Sequence, residues 1–179
     1  MSNKMLWKRL IFIMITVTIA FVVQTTLLKM IPYYNISANL LLICVCSFGL
    51  LYGRSYGLWI GFAAGLLSDL FYGGGIVGIY SLVYMYIGFL NGLLSDVLLK
   101  DVVSVPILFI LGSEIFYHAY VYIFTYSLRN RLNLFQYVKT VMIPELLLTL
   151  VGMIIIYGIL LSVSNLLEEA KEKGEGRLA

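Results

Sequence analysis

The sequence predicts an all-α integral membrane protein of six transmembrane helices, with both termini on the cytoplasmic side. Three observations carry this reading. Of the 179 residues, 61% are hydrophobic and 12% charged, against about 45–50% and about 25% in an ordinary soluble domain. The apolar residues fall in long runs, and an α-helix needs about 20 of them to cross about 30 Å of hydrocarbon. The lysines and arginines sit at the ends of the runs, where they set topology. No segment outside the runs is long enough to bury a core of its own, which excludes a soluble hydrolase, kinase or nucleic-acid module.

Each span has its own start and stop. Lys4, Lys8 and Arg9 precede a run over residues 10–28, which is longer than a signal-peptide core and lacks a small-residue cleavage site, so it reads as an uncleaved first helix. Pro32, Tyr33 and Tyr34 break the pattern at the headgroup level. The second helix spans residues 38–52, and Gly53-Arg54-Ser55 turns the chain into the third, residues 56–72. Gly73, Gly74 and Gly75 form the next turn. The fourth helix covers 76–95, Asp96 to Asp101 makes a polar turn, and the fifth covers 102–126. Arg129, Asn130, Arg131 and Asn133 mark the longest internal loop, ending near Lys139, before a sixth helix over 141–163. Residues 1–167 thus form one transmembrane domain, and 168–179 a charged cytoplasmic tail expected to fray into solvent.

Placing the termini inside puts Lys4, Lys8, Arg9, Arg54, Lys100, Lys171, Lys173 and Arg177 on the cytoplasmic face. Lys29, Arg129, Arg131 and Lys139 are left outside, eight against four, which favours that orientation. The net charge of +3 is therefore a topology signal, and no nucleic acid is expected as a partner. Cys44 and Cys46, two apart on a helix, point in different directions and read as small buried apolar residues.

Glycine recurs at Gly49, Gly53, Gly57, Gly61 and Gly65, which lays a flat stripe along the third helix. Helices in lipid associate by close backbone approach at such stripes. Two readings stay open: internal packing, or a face that receives a partner's helix. A nine-residue string, Gly61 to Asp69, recurs as Gly88 to Asp96 with only its third and fourth positions changed. Inverted repeats occur in transporters, and a shared packing solution explains the match equally.

Ionisable residues at membrane depth are functional hypotheses by default, because burying them is costly. Glu114 and His118 lie one turn apart on the fifth helix, within side-chain reach. The pair suits cation binding, proton relay, a partner's polar group, or a mutually satisfied structural hydrogen bond. Two ligands are too few for a zinc site, so no metal is expected. Asp69 and Glu145 are expected near the outer face, in a polar cluster with Arg129 and Arg131, where Asp69 either pairs with that arginine loop or contacts an extracytoplasmic partner, and Asp96 at the inner end of the fourth helix. Pro144-Glu145 reads as a helix start, with proline in the first turn and a carboxylate on the helix dipole. Tyrosine is abundant, 14 residues, and Tyr80, Tyr84, Tyr117 and Tyr120 either pack between helices or line a cavity. No phosphate loop, catalytic triad or lipidation box occurs, so neither enzymatic activity nor a cofactor is expected.

The string Gly61-Phe62-Ala63-Ala64-Gly65-Leu66-Leu67-Ser68-Asp69-Leu70, the glycine turn, Gly78-Ile79-Tyr80-Ser81-Leu82 and Gly88-Phe89-x-x-Gly92 together resemble the bacterial rod shape-determining protein MreD family. The basic start and Pro144-Glu145-Leu146-Leu147-Leu148 are similar to it too, whereas Ala38 and Thr149 depart from the proline and asparagine common there. The resemblance implies a non-enzymatic, multi-pass component of the bacterial cytoplasmic (inner) membrane. It would bind the transmembrane and juxtamembrane segment of the bitopic protein MreC. With MreC it would link MreB filaments to elongation synthases such as RodA and its penicillin-binding partner, and self-association stays open. Mapped onto this chain, Gly57, Gly61 and Gly65 form the close-packing face, Asp69 the acidic position, and Gly78, Gly88 and Gly92 the matching motif. The family's bundle is similar to the S components of energy-coupling factor transporters. That likeness supplies the alternative function, vitamin capture in a cavity lined by Tyr80, Tyr84, Tyr117 and Tyr120.

Overall fold

The computed structural model describes residues 3–27, 37–72, 78–96, 104–127 and 133–175, with side chains described from Trp7 to Val163 except near some helix ends. Among these residues every regular element is a helix. Helix α1 (Asn3–Val22) runs into a π-helical turn, Val23–Leu27. Helices α2 (Leu40–Tyr52) and α3 (Arg54–Tyr72) are separated by Gly53 alone, and α4 (Ile79–Leu93) ends in a 3-10 turn, Leu94–Asp96. Helix α5 (Ser104–Val121) continues into a second π-helical turn, Tyr122–Ser127. A short α6 (Leu134–Tyr137), a third π-helical turn (Val138–Met142) and α7 (Ile143–Glu175) follow one another without a break.

Helix α2 is the centre of the bundle. It packs on α1, α3, α4, α5 and α7, and every residue from Leu40 to Leu50 is buried. A helix that is apolar all round belongs inside other helices. Its N-terminus is buried too, so the donors that a helix start leaves unpaired must find partners within the protein. They do. Leu40 N–H donates to Ala38 O and Ile43 N–H to Asn39 O. Leu41 N–H donates to Gln24 Oε1 at 3.0 Å, and Leu42 N–H to Asn39 Oδ1 at 3.2 Å. Asn39 N–H donates to Thr149 Oγ1 at 3.0 Å, which ties the start of α2 to α7.

These contacts also fix relative directions. Gln24 meets the start of α2 while the Arg9 guanidinium lies 4.5 Å from the Tyr52 ring centroid at its end, so α1 and α2 run oppositely. Asn91 donates to Ser113 Oγ at 2.7 Å and the Tyr84 and Tyr117 rings meet at 5.5 Å, so α4 and α5 also alternate. The outside is apolar: Leu108 is 69% exposed, Trp59 68% and Leu70 67%. In water such a surface would drive aggregation; in a bilayer it faces acyl chains.

Among the described residues, three helical segments are long and apolar enough to cross a membrane: Trp7–Thr26, Pro106–Phe124 and Leu134–Val163. Leu40–Tyr52 and Ile79–Leu93 are apolar but shorter. At 1.5 Å per residue, α2 extends about 20 Å, less than the hydrocarbon thickness.

Two expected boundaries are corrected. The segment from Asn133 to Lys139, expected as the end of a polar loop, is helical from Leu134 onward, so the last rod begins seven residues earlier than the expected residue 141. Pro144 therefore does not open a helix. It lies inside the rod, where its ring and missing donor would break an α-helical ladder, and the π-helical turn just before it, in which Ile143 N–H donates to Val138 O, accommodates it. At the other end, the charged segment expected to fray stays helical to Glu175. Residues 128–132, including Arg129 and Arg131, and the glycine turn at 73–77 lie outside the described residues.

Candidate functional site

The glycine stripe closes on this chain's own α4. A Cβ added at Gly57 would meet the Gly88 carbonyl, one at Gly61 the Tyr84 carbonyl, one at Gly65 Ser81 Cα, and one at Gly92 Arg54 Cα, every one closer than 3.0 Å. The relation is reciprocal, since a Cβ on Gly88 would meet the Gly57 carbonyl. Gly49 on α2 also faces Gly88, at 2.8 Å from its carbonyl oxygen, so three helices converge on one glycine junction. The two copies of the nine-residue repeat thus lie on facing helices of one antiparallel hairpin. A second chain's helix would reach these backbones only by displacing α4. Opposite this face, Trp59, Phe62, Leu66 and Leu70 point outward.

Asp69 is 4% exposed and has no arginine partner among the described residues. Instead its Oδ1 accepts from Tyr80 N–H and its Oδ2 from Ser81 N–H, each at 2.9 Å, and the Ser81 hydroxyl donates to Oδ2 as well. It is the N-cap of α4, supplied from another helix. The residue in the N-cap position, Gly78, has a φ of +117° and no side chain to offer, so the glycine permits the turn and the aspartate satisfies the donors and the helix dipole. Asp96 closes the 3-10 turn after α4, and its side chain is not among those described.

A second cluster joins α5 to α7. Glu114 and His118 are buried on one face of α5, with His118 Nε2 3.5 Å from Glu114 Oε1. His118 Nδ1 and the Tyr137 hydroxyl are 3.0 Å apart, and Thr149 Oγ1 donates to Glu114 Oε1 at 3.3 Å. Glu145, half-buried and expected near the outer face as a helix cap, joins them: one ligand atom each from Glu114, His118 and Glu145 lie within 4.8 Å of one another. Sequence reasoning missed Tyr137, Thr149 and Asn39. Tyr137 fell in the expected loop. The Thr149 hydroxyl bridges Glu114 to the Asn39 backbone, and Asn39 Oδ1 accepts from the Tyr84 hydroxyl at 2.7 Å. A single polar chain thus links α2, α4, α5 and α7. The usable signal was the helical spacing of Glu145 and Thr149, one turn apart.

The tyrosines pack on each other. Tyr117 lies 5.5 Å from Tyr84 and 6.4 Å from Tyr80, ring centre to ring centre. Two apolar grooves are lined by other residues. One, of about 780 Å³, runs between α4 and α5 past Leu90, Asn91, Leu94, Leu108, Gly112 and Phe116. The other, of about 360 Å³, lies between α5 and α6 and includes His118 and Tyr137.

A family model described as rod shape-determining protein MreD matches residues 5–167, spanning every described helix but the first residues and the last turns. The chain belongs to the MreD family. Membership makes it a membrane-associated protein of rod shape determination. The MreD match covers the glycine hairpin, Asp69 and the Glu114–His118–Glu145 cluster alike. No curated protein and no solved structure matches the chain.

Proposed function

We propose that this chain is a non-enzymatic, multi-pass scaffold of the bacterial cytoplasmic membrane. It crosses six times with both termini inside, binds the bitopic protein MreC, and through it couples MreB filaments to peptidoglycan synthases such as RodA and its penicillin-binding partner. The observation that carries this reading is the family match over residues 5–167, nearly the whole chain. The interior supports it. The glycine junction and the polar chain knit α2, α3, α4, α5 and α7 into one body, as a platform requires. The vitamin-capture alternative needs open space between Tyr80, Tyr84, Tyr117 and Tyr120, whereas Tyr117 packs on Tyr80 and Tyr84, and Tyr120 on Phe124.

With the glycine stripe closed by α4, the partner's helix meets the bundle from outside, and the α4–α5 groove is the face that fits it. It is apolar. Gly112 opens it, with nothing within 4 Å of an added Cβ, and Asn91 lines it with its Oδ1 unpartnered. Gly112→Leu fills this groove without touching the interior. Co-expressed with MreC and solubilised in mild detergent, the variant is expected to keep its own melting temperature and lose at least tenfold in co-elution. Wild-type co-elution by Gly112→Leu would remove the groove from the account. Failure of the unaltered protein to co-elute with MreC would remove the scaffold reading itself.

A further inference from the structure

Glu114 is fully buried, and its Oε2 has no hydrogen-bond partner. His118 is 1% exposed, and its Nε2 lacks a hydrogen-bond partner too. Both sit beside the Glu145 carboxylate, with one oxygen or nitrogen of each residue within 4.8 Å of the others. Among the described residues, no lysine or arginine pairs with either carboxylate. Buried carboxylates are paired, coordinate metals or take up a proton, and among the described side chains His118 alone lies close enough to pair with Glu114.

We propose that Glu114, His118 and Glu145 bind a divalent transition-metal ion of zinc's class, clamping α5 to α7 inside the bundle. The donor set fits. One imidazole nitrogen with two carboxylate oxygens suits borderline divalent ions, and a dication balances the charge of two carboxylates. One of the three ligand pairs already has the spacing. Ligands at about 2.0–2.2 Å from a tetrahedral zinc lie about 3.3–3.6 Å apart, and His118 Nε2 and Glu114 Oε1 are separated by 3.5 Å.

The surroundings are those of a metal ligand shell. A ligating histidine usually engages its other ring nitrogen with an orienting partner. Tyr137 does this at Nδ1, 3.0 Å away, and the tautomer that donates to Tyr137 turns the Nε2 lone pair toward Glu114. Thr149 donates to Glu114 Oε1 at 3.3 Å and so orients the carboxylate whose Oε1 faces His118 Nε2. The π-helical turn Val138–Met142, just before Glu145, sets the register that brings this carboxylate onto α5. Three protein ligands leave a fourth position for water or a partner's group. The groove between α5 and α6, which His118 and Tyr137 line, gives that position a way out.

The test uses the full chain, purified in mild detergent without chelator, loaded with Zn²⁺ or Co²⁺ and freed of excess metal. The expected result is one equivalent of Zn²⁺ per chain by elemental analysis, and with Co²⁺ the intense visible absorption of a four-coordinate site. Glu145→Gln, at a half-buried position, is expected to weaken Zn²⁺ binding at least tenfold while keeping the metal-free melting temperature. Zn²⁺ should raise that temperature for the wild type and not for the variant. His118→Gln supplies a second, independent ligand loss. Wild-type protein that retains no metal, or that retains it equally in both variants, overturns the proposal and leaves the three groups as a hydrogen-bonded packing cluster.

Discussion

At Asp69 one carboxylate satisfies two backbone donors and a hydroxyl at the start of α4, in a place that water does not reach. Hydrogen bonds to a charged acceptor are worth about 1.5–3 kcal/mol each, and a donor left bare costs a comparable amount. Asp69→Asn keeps one acceptor and turns an amide N–H₂ on the other donor, so it should destabilise the protein by about 2 kcal/mol, and Asp69→Ala by more. Denaturation in detergent followed by circular dichroism measures both. An Asp69→Asn variant as stable as wild type would mean that the carboxylate's main work lies elsewhere. The sequence marks Asp69 and leaves its contact open between an arginine loop and an extracytoplasmic partner; Arg129 and Arg131 lie outside the described residues, and the partners seen are backbone amides at the start of α4, which carry no signature in the letters of a sequence. Cys44 and Cys46 are legible residues: both are expected and found buried, at 1% and 0% exposure. Neither should react with a maleimide in native membranes, and both should react after denaturation.

Among the elements, the glycine face of α3 is the most legible, because glycine every fourth residue means one thing for backbone spacing whatever packs against it. What periodicity leaves open is the identity of the neighbour, and here it is α4 of the same chain. Gly57→Ala tests this against local propensity. Alanine is the better helix former by about 1 kcal/mol. Yet its Cβ would fall within 3.0 Å of the Gly88 carbonyl, a backbone atom that cannot step aside, and overpacking costs about 1–3 kcal/mol. A net loss of stability is expected, and a gain would separate the two helices. The least legible element was the start of the last rod. Arg129, Asn130, Arg131 and Asn133 read as loop, and Pro144 read as a first-turn proline. Only the π-helical turn at Val138–Met142 reconciles that proline with a helix on both sides. The cost of missing it was functional: with the rod begun too late, Tyr137 had no place and Glu145 stood as a cap instead of a neighbour of Glu114 and His118.

At the scale of the whole molecule, a centre made of short α2, buried from Leu40 to Leu50, is wrapped by helices whose outward faces are apolar, and the polar groups are gathered on the inside. That inversion of a soluble fold is what composition foretold. The interior polar chain from Tyr84 through Asn39 and Thr149 to Glu114 was not foretold, because it joins residues on four helices whose spacing in sequence has no period. A body so closed suits holding other proteins in place, and the central claim is that this one holds a bitopic membrane partner for cell-wall elongation. Affinity purification of the tagged chain from native membranes in mild detergent, with co-purifying proteins and small molecules both identified by mass spectrometry, tests that claim most directly. The account predicts a near-stoichiometric bitopic membrane protein accompanied by cell-wall synthases. An ATPase module with a retained vitamin-like molecule would contradict it.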